Sequence, residues 1–251
     1  MIRFDIPEAG ISLDGRTALH PFSAELESDQ IIGIVGPNGA GKSTLIRLLA
    51  GLLPASPESV WLDGKPLAAF TGLERARRIA WLSQTRELSW DLLVEDVVAL
   101  GRHAWGGGRF DRLGEADRNL VFSAMARAGA AGLAGRHVLS LSGGEQARVH
   151  LARLLAVGAG NLLLDEPLAS LDIAQQLGML TALREEAAQG KLVCLALHDL
   201  SLARSVCDQL LVLKEGRLIA DGPPATILTG ELLETVFGVR ENDAGGFVLS
   251  N

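Results

Sequence analysis

Hydrophobic positions recur with two different periods along this chain, and the places where the period changes mark its elements. Residues 30–35 (QIIGIV) form an unbroken apolar run that stops at a glycine, the pattern of a buried strand. Residues 42–50 follow with Leu45, Leu48 and Leu49 at helical spacing. Residues 11–13 and 16–19 flank Asp14-Gly15, a two-residue hairpin signal, so antiparallel β structure is expected near the N-terminus. Residues 78–83 (RIAWLS) predict another strand. From Glu87 to Ala156 the spacing turns helical, at Val94, Val97, Val98 and Leu100 and again through residues 120–130, with Gly106-Gly107-Gly108 as a flexible interruption. Strand-like runs return at residues 161–164 (NLLL) and 191–197 (KLVCLAL), with a helix over 173–189 between them. Residues 209–214 and 217–221, joined at Glu215-Gly216, predict a further strand pair, and 225–228 and 231–237 predict two short helices. Strands alternating with helices imply a parallel sheet with right-handed crossovers. The expected fold is therefore α/β; the length fits one large domain or two small ones, and residues 1–251 are expected to form a single domain. It has a parallel-sheet core, an N-terminal antiparallel β subdomain, a helical subdomain inserted at about 85–157 and short helices at about 222–240.

Composition narrows the function. The 251 residues are 48% apolar and 21% charged, which fits a globular protein with a sizeable core. Thirty acidic against 23 basic side chains leave a net charge of -7, and a general nucleic-acid binder would carry a basic excess. The longest uncharged stretch is residues 30–41, short of the ~20 apolar residues a membrane helix needs. The opening MIRFDIPEAG lacks an apolar core, so no secretory signal is expected. Cys194 and Cys207 form neither a disulfide framework nor a metal spacing, in keeping with a reducing cytosol. The chain contains no tyrosine.

Three segments and two single residues carry candidate chemistry. Gly36-Pro37-Asn38-Gly39-Ala40-Gly41-Lys42-Ser43 matches G-x-x-x-x-G-K-[ST] between a predicted strand and a predicted helix. Glycines there let backbone N–H groups curl around phosphate oxygens, and the helix N-terminus adds partial positive charge. Lys42 can reach the β and γ phosphates, and the Ser43 hydroxyl can ligate Mg²⁺. Asp165 and Glu166 end the apolar run Leu162-Leu163-Leu164, at the carboxyl end of a strand where open α/β sheets bind ligands. Asp165 would hold Mg²⁺ through its water shell, and Glu166 could take a proton from an attacking water. A strand ending in solvated acids is the plainer alternative. Leu141-Ser142-Gly143-Gly144-Glu145 opens a helix running to about Val157, with Ser142 and Glu145 spaced as a capping box. A capping box does not need two glycines in its first turn, where each costs ~1 kcal/mol against alanine. The pair suggests close approach of a ligand such as phosphate. His198 and Gln84 each end a predicted strand. One could orient a water against a γ-phosphate and the other could reach Mg²⁺, though surface roles explain either residue alone.

Taken in order, the phosphate loop, Gln84, LSGGE, LLLDE, Ser170-Leu171-Asp172 and His198 resemble the nucleotide-binding subunit of ABC transporters over nearly the whole chain. LSGGE before the Asp-Glu strand discriminates most, since other P-loop enzymes lack it. The resemblance implies a P-loop NTPase fold and ATP with Mg²⁺ as ligands. It implies a head-to-tail dimer of two such chains trapping two ATP molecules. Each ATP would lie on the 36–43 loop and Thr44 of one copy and under Ser142, Gly143 and Gly144 of the other. Lys42, Glu166 and His198 would be the catalytic residues, Glu166 as general base and His198 positioning water and γ-phosphate. Ser43, Gln84 and Asp165 would hold the metal. Asp172 would serve communication across the dimer, and Gln84 would couple the site to the helical insertion. One departure stands out: the family usually stacks adenine on an aromatic residue, at a place that falls near Leu13 here. Phe4 and Phe22 are not at that spot, so weaker base discrimination is expected.

No membrane domain is visible, so the transmembrane permease subunits would be separate polypeptides and this chain would sit peripherally on the cytoplasmic face of the inner membrane. Residues 217–229 (RLIADGPPATILT), 231–240, 77–84 (RRIAWLSQ) and 94–102 are similar to ATPases of iron-siderophore, haem and cobalamin importers, which work with a substrate-binding protein. Rival expectations are an importer of another substrate class, a soluble ABC-type ATPase in DNA repair or translation, a small-molecule P-loop kinase, or a regulatory binder without activity. A soluble ABC ATPase would need a coiled-coil insertion or a second cassette. A kinase would not need LSGGE. Lys42, Glu166 and His198 together argue against a dead site.

Overall fold

The computed structural model describes residues 1–6, 10–13, 15–53, 59–85, 90–242 and 246–250, with the backbone alone at 3–6. The chain forms two compact units, residues 1–69 with 192–251, and residues 70–191. The first unit opens with strands β1 (Ile2–Ile6), β2 (Ile11–Leu13), β3 (Arg16–Leu19), β4 (Phe22–Leu26) and β5 (Ile31–Val35), then helix α1 (Lys42–Leu49) and strands β6 (Val60–Leu62) and β7 (Lys65–Pro66). The second unit holds α2 (Gly72–Arg78), β8 (Ile79–Leu82), α3 (Val94–Ala99), α4 (Glu115–Arg127), α5 (Gly143–Ala156), β9 (Asn161–Leu164) and α6 (Ile173–Ala188). The chain returns to the first unit with β10 (Leu192–Ala196), α7 (Leu200–Val206), β11 (Gln209–Lys214), β12 (Arg217–Gly222), α8 (Pro224–Ile227), α9 (Gly230–Leu232), β13 (Val239–Glu241) and β14 (Phe247–Leu249).

In the first unit β10 and β11 both pair with β5 in parallel, and β12 closes that edge antiparallel to β11. Every residue of β5 and β10 is buried, so these strands read as continuous apolar runs; β12 alternates exposed and half-buried positions, as an edge strand does. α1 covers the sheet with Leu45, Ile46, Leu48 and Leu49. Because β5 and β10 run in parallel with Ala196 opposite Ile34, the loop after β5 and the residues after β10 leave the sheet at the same edge. A separate antiparallel sheet has the order β4-β1-β6-β7. There Ile2 sits opposite both Leu26 and Leu62, and all three are fully buried.

In the second unit β8 and β9 pair in parallel from Ile79↔Asn161 to Leu82↔Leu164, and the Asp165 N–H extends the ladder to the Leu82 carbonyl at 2.8 Å. Helices α3, α4 and α5 bury Val94, Val97, Val98, Val121, Met125, Val149 and Leu151. Glu186, 1% exposed, lies near the end of α6 and forms ion pairs with Arg127 of α4 and with Lys191.

Most predicted elements are present with trimmed ends. The strand expected from residue 78 begins at Ile79, because Arg78 completes α2, whose start is fixed by a Thr71–Glu74 capping box. α3 stops at Ala99 and tightens into a 3₁₀ segment, Leu100–Trp105, that ends on Gly106 at φ 85°. The last predicted helix is a short α-turn continued by a π-turn, Leu233–Phe237. Asp14 of the predicted hairpin turn and the start of the helical stretch at Glu87 lie outside the described residues.

Candidate functional site

The loop after β5 is built around two close approaches. A Cβ on Gly36 would stand 2.2 Å from the Leu213 carbonyl of β11, so no larger residue fits there. Gly41 takes φ 103° as the N-cap of α1, and its Cβ would meet Leu19 at 2.8 Å. The loop is also tied to the β11–β12 turn, whose Gly216 N–H donates to the Ala40 carbonyl at 2.9 Å. Inside it, Lys42 is 5% exposed and its ammonium donates to the Gly36 and Pro37 carbonyls at 2.8 and 3.1 Å. A buried ammonium at a helix N-terminus, beside a glycine-rich loop, is a suitable place for an anion such as phosphate. Ser43 and Thr44 follow in the first turn of α1, half-buried. His198 leaves the same sheet edge, two residues past β10. The capping of α7 falls to Asp199, whose Oδ1 accepts the Leu202 N–H at 3.0 Å, so His198 is not needed for that task.

In the second unit the parallel pairing of β8 and β9 brings Gln84, Asp165 and Glu166 to one edge. The Gln84 amide nitrogen donates to Glu166 Oε2 at 2.7 Å. With its NH₂ given to Glu166, the Gln84 carbonyl oxygen is the group left for a cation. Asp165 is fully buried. Glu166 has φ 48° and Ser170 has φ 63°, both in the left-handed region that costs a residue with a Cβ of order 1 kcal/mol and that collects at functional sites.

Ser142 caps α5: its Oγ accepts the Glu145 N–H at 3.3 Å, while Glu145 Oε2 accepts from the Ser142 N–H at 2.8 Å and from its hydroxyl at 2.9 Å. Hydrogen bonds from the Ser142 backbone and side chain, then from Arg136, hold the Glu145 carboxyl below its ordinary range. The two glycines differ. A Cβ on Gly143 would meet nothing, whereas one on Gly144 would stand 1.8 Å from the Gln175 amide. Part of the glycine requirement is thus internal: α6 lays Gln175 across the first turn of α5. Gln175 also belongs to a capping box with Asp172, whose Oδ1 accepts the Gln175 N–H at 2.8 Å. Asp172 and Gly144 are brought together through this side chain, which motif reading missed. The D-x-x-Q spacing at 172–175 was the signal for it.

A family model described as ABC transporter matches residues 19–169, spanning the phosphate loop, LSGGE and the Asp-Glu strand. The chain belongs to the ABC transporter family. Among its relatives, the hemin import ATP-binding protein HmuV of Streptomyces coelicolor is 44% identical, over 90% of this chain and 80% of its own length. The cobalamin import ATP-binding protein BtuD of Halobacterium salinarum is 40% identical over 94% of this chain and 59% of its own. Among solved structures, a bacterial Atm1-family ABC exporter with ATP bound superposes with a TM-score of 0.75 at 28% identity, over 93% of this chain and 39% of that one. As in other members of the ABC transporter family, the core is α/β with a P-loop, and ATP is the ligand its loop is built for.

Among the described residues no three His, Cys, Asp or Glu side chains gather to hold a metal alone. The oxygens of Ser43, Gln84 and Asp165 are hard donors of the kind Mg²⁺ takes, and Mg²⁺ characteristically completes its shell with substrate phosphates and water. Each of these donors, taken by itself, fits the ion on that chemistry. Leu13 is half-buried opposite an exposed Arg16, and Phe22 begins β4 opposite Ile6, so neither is an aromatic platform on the β2–β3 hairpin. Phe4 lies among the residues with backbone alone.

Proposed function

We propose that this chain is the ATP-binding and ATP-hydrolysing subunit of a bacterial importer for haem or a related metal chelate. The observation that carries the nucleotide reading is the buried Lys42 ammonium within a loop that tolerates no side chain at Gly36. Its 44% identity to a hemin import ATP-binding protein over most of both lengths supports the substrate class. The whole chain acts as one ATPase domain, with residues of about 85–157 as the helical insertion and 222–240 as its C-terminal helices.

In this reading Gly36 to Ser43 and Thr44 hold the triphosphate, with Lys42 against its β and γ oxygens. Ser43, Gln84 and Asp165 would hold Mg²⁺, which would neutralise phosphate charge. Glu166, kept in place by Gln84, accepts the proton of the attacking water, and His198 orients that water toward the γ-phosphate. Two copies pack head to tail, so that Ser142, Gly143 and Gly144 of one face the nucleotide on the other. Asp172, bonded to Gln175 across Gly144, reports the state of that contact. Among the described residues no helix is long and apolar enough to cross a membrane. The permease subunits would be separate chains, with this one peripheral on the cytoplasmic face. A substrate-binding protein would deliver the cargo. Glu166→Gln tests the assignment: ATP should still bind, and turnover should fall on the order of 10²–10⁴-fold, the contribution of a positioned base. Turnover at the wild-type rate would remove Glu166 from this role.

A further inference from the structure

The serine at the tip of α5 does not stand alone. A hydroxyl has one proton to give, and that of Ser142 is given to Glu145 Oε2 at 2.9 Å. The second oxygen of that carboxylate accepts from Arg136 Nη1 at 2.8 Å. Arg136 in turn sits on a segment fixed by backbone bonds to the start of α3. The Val94 N–H donates to the Arg136 carbonyl at 3.0 Å, and the Val138 N–H to the Leu92 carbonyl at 2.9 Å. The Leu139 N–H and the His137 ring add contacts to Asp91. The guanidinium is therefore presented to Glu145 from a firmly held backbone.

This arrangement poses an electrostatic problem. The free N–H groups of Gly143 and Gly144 and the helix dipole invite a triphosphate. One residue further on, an ionised carboxylate opposes it and holds the serine proton that the phosphate would take. We propose that Arg136 is a positioning residue for the trans nucleotide. It offsets the charge of Glu145 and shares that carboxylate with Ser142, which weakens its hold on the serine proton, so that Ser142 can turn its hydroxyl to the γ-phosphate when two copies close. The inference rests on the head-to-tail dimer reading above and deepens it. A neutral side chain at 145 would keep the capping box, since glutamine serves there as well as glutamate, and would abolish the need for Arg136.

The test uses the full chain carrying Glu166→Gln, with the MgATP concentration for half-maximal dimerisation read by light scattering. Adding Arg136→Ala should raise that concentration about tenfold, the scale of one charge-assisted contact, and Arg136→Lys should restore most of it. Adding Glu145→Gln should lower it, and in the Glu145→Gln background Arg136→Ala should have no further effect. Higher salt should shrink the Arg136→Ala shift, because the pair is partly exposed. A merely structural role for Arg136 would survive the loss of Glu145's charge, and that result overturns the proposal. A Glu166→Gln parent that dimerises normally while Arg136→Ala leaves the midpoint unmoved overturns this proposal alone. A parent that stays monomeric with saturating MgATP overturns the dimer reading and this inference with it.

Discussion

The Lys42 ammonium is nearly shielded from water, and the two carbonyls that hold it belong to its own loop. In the proposed site this charge meets the triphosphate, so Lys42→Ala removes both a charge and its charge-assisted bonds. Nucleotide affinity should fall on the order of 10–100-fold, in line with bonds to charged groups worth about 1.5–3 kcal/mol. Fluorescent-nucleotide titration measures it, and unchanged affinity would refute the phosphate role. The base is read differently. Leu13 and Arg16 face each other on the β2–β3 hairpin, and the chain has no tyrosine to supply an aromatic platform. Stacking between aromatic pairs contributes about 0.5–1.5 kcal/mol beyond area burial. Lacking it, the enzyme should turn over GTP within about tenfold of ATP. A strong ATP preference in a side-by-side assay would show that another group recognises adenine.

At the level of single elements, α5 separates stability from function. A Cβ at Gly143 meets nothing, and alanine is the better helix former by up to about 1 kcal/mol. Gly143→Ala should leave the melting temperature level or higher while ATP turnover falls, and a variant that keeps full turnover would mean that nothing approaches this turn. Three exposed carboxylates, two of them in helix caps, also give the fold a modest acid dependence. Glu74 is held below its ordinary pKa by Thr71, Glu145 by Ser142, and Glu241 by Arg204. A carboxylate whose folded pKa is depressed adds stability above its unfolded value, and that stability is lost as pH falls through the folded one. Thermal stability should therefore decline progressively as pH falls below the ordinary carboxylate range, and these groups should leave it flat above that range. Legibility followed the same physics. The buried parallel strands and the Ser142–Glu145 box could be read because they write long apolar runs or fixed spacings into the chain. β1, β4 and β6 were not predicted, although residues 2–6 (IRFDI) and 22–26 (FSAEL) alternate apolar and polar positions, because strands of three to five residues hold too few periods to stand out. α7 was hidden because seven residues are too few to show a helical period. At the site, glycine-rich and acidic motifs were visible in sequence, but the bond from Gln84 to Glu166 spans 82 positions and exists only through the β8–β9 pairing.

For the whole molecule, the proposed function requires one chain to present two half-sites of opposite kind. The Lys42 loop is walled by β11 and the hairpin, while the Gly143 face of α5 has open space before it. If each half completes the other in a twofold dimer, symmetry makes both ATP sites identical and closes them together. ATP can favour the closed dimer only by the amount it binds that form better than the open one, and two equivalent sites then share a single transition. Hydrolysis by the assembled importer should consequently rise with ATP along a sigmoid, with a Hill coefficient between about 1.5 and 2, the number of sites being its ceiling. Replacing one copy's Lys42 by alanine in a mixed dimer should bring the coefficient to about 1, because one competent site cannot cooperate with itself. A coefficient of 1 in the intact complex, measured over a range wide enough to saturate it, would mean that the two loops work independently and that α5 faces something other than a partner's nucleotide.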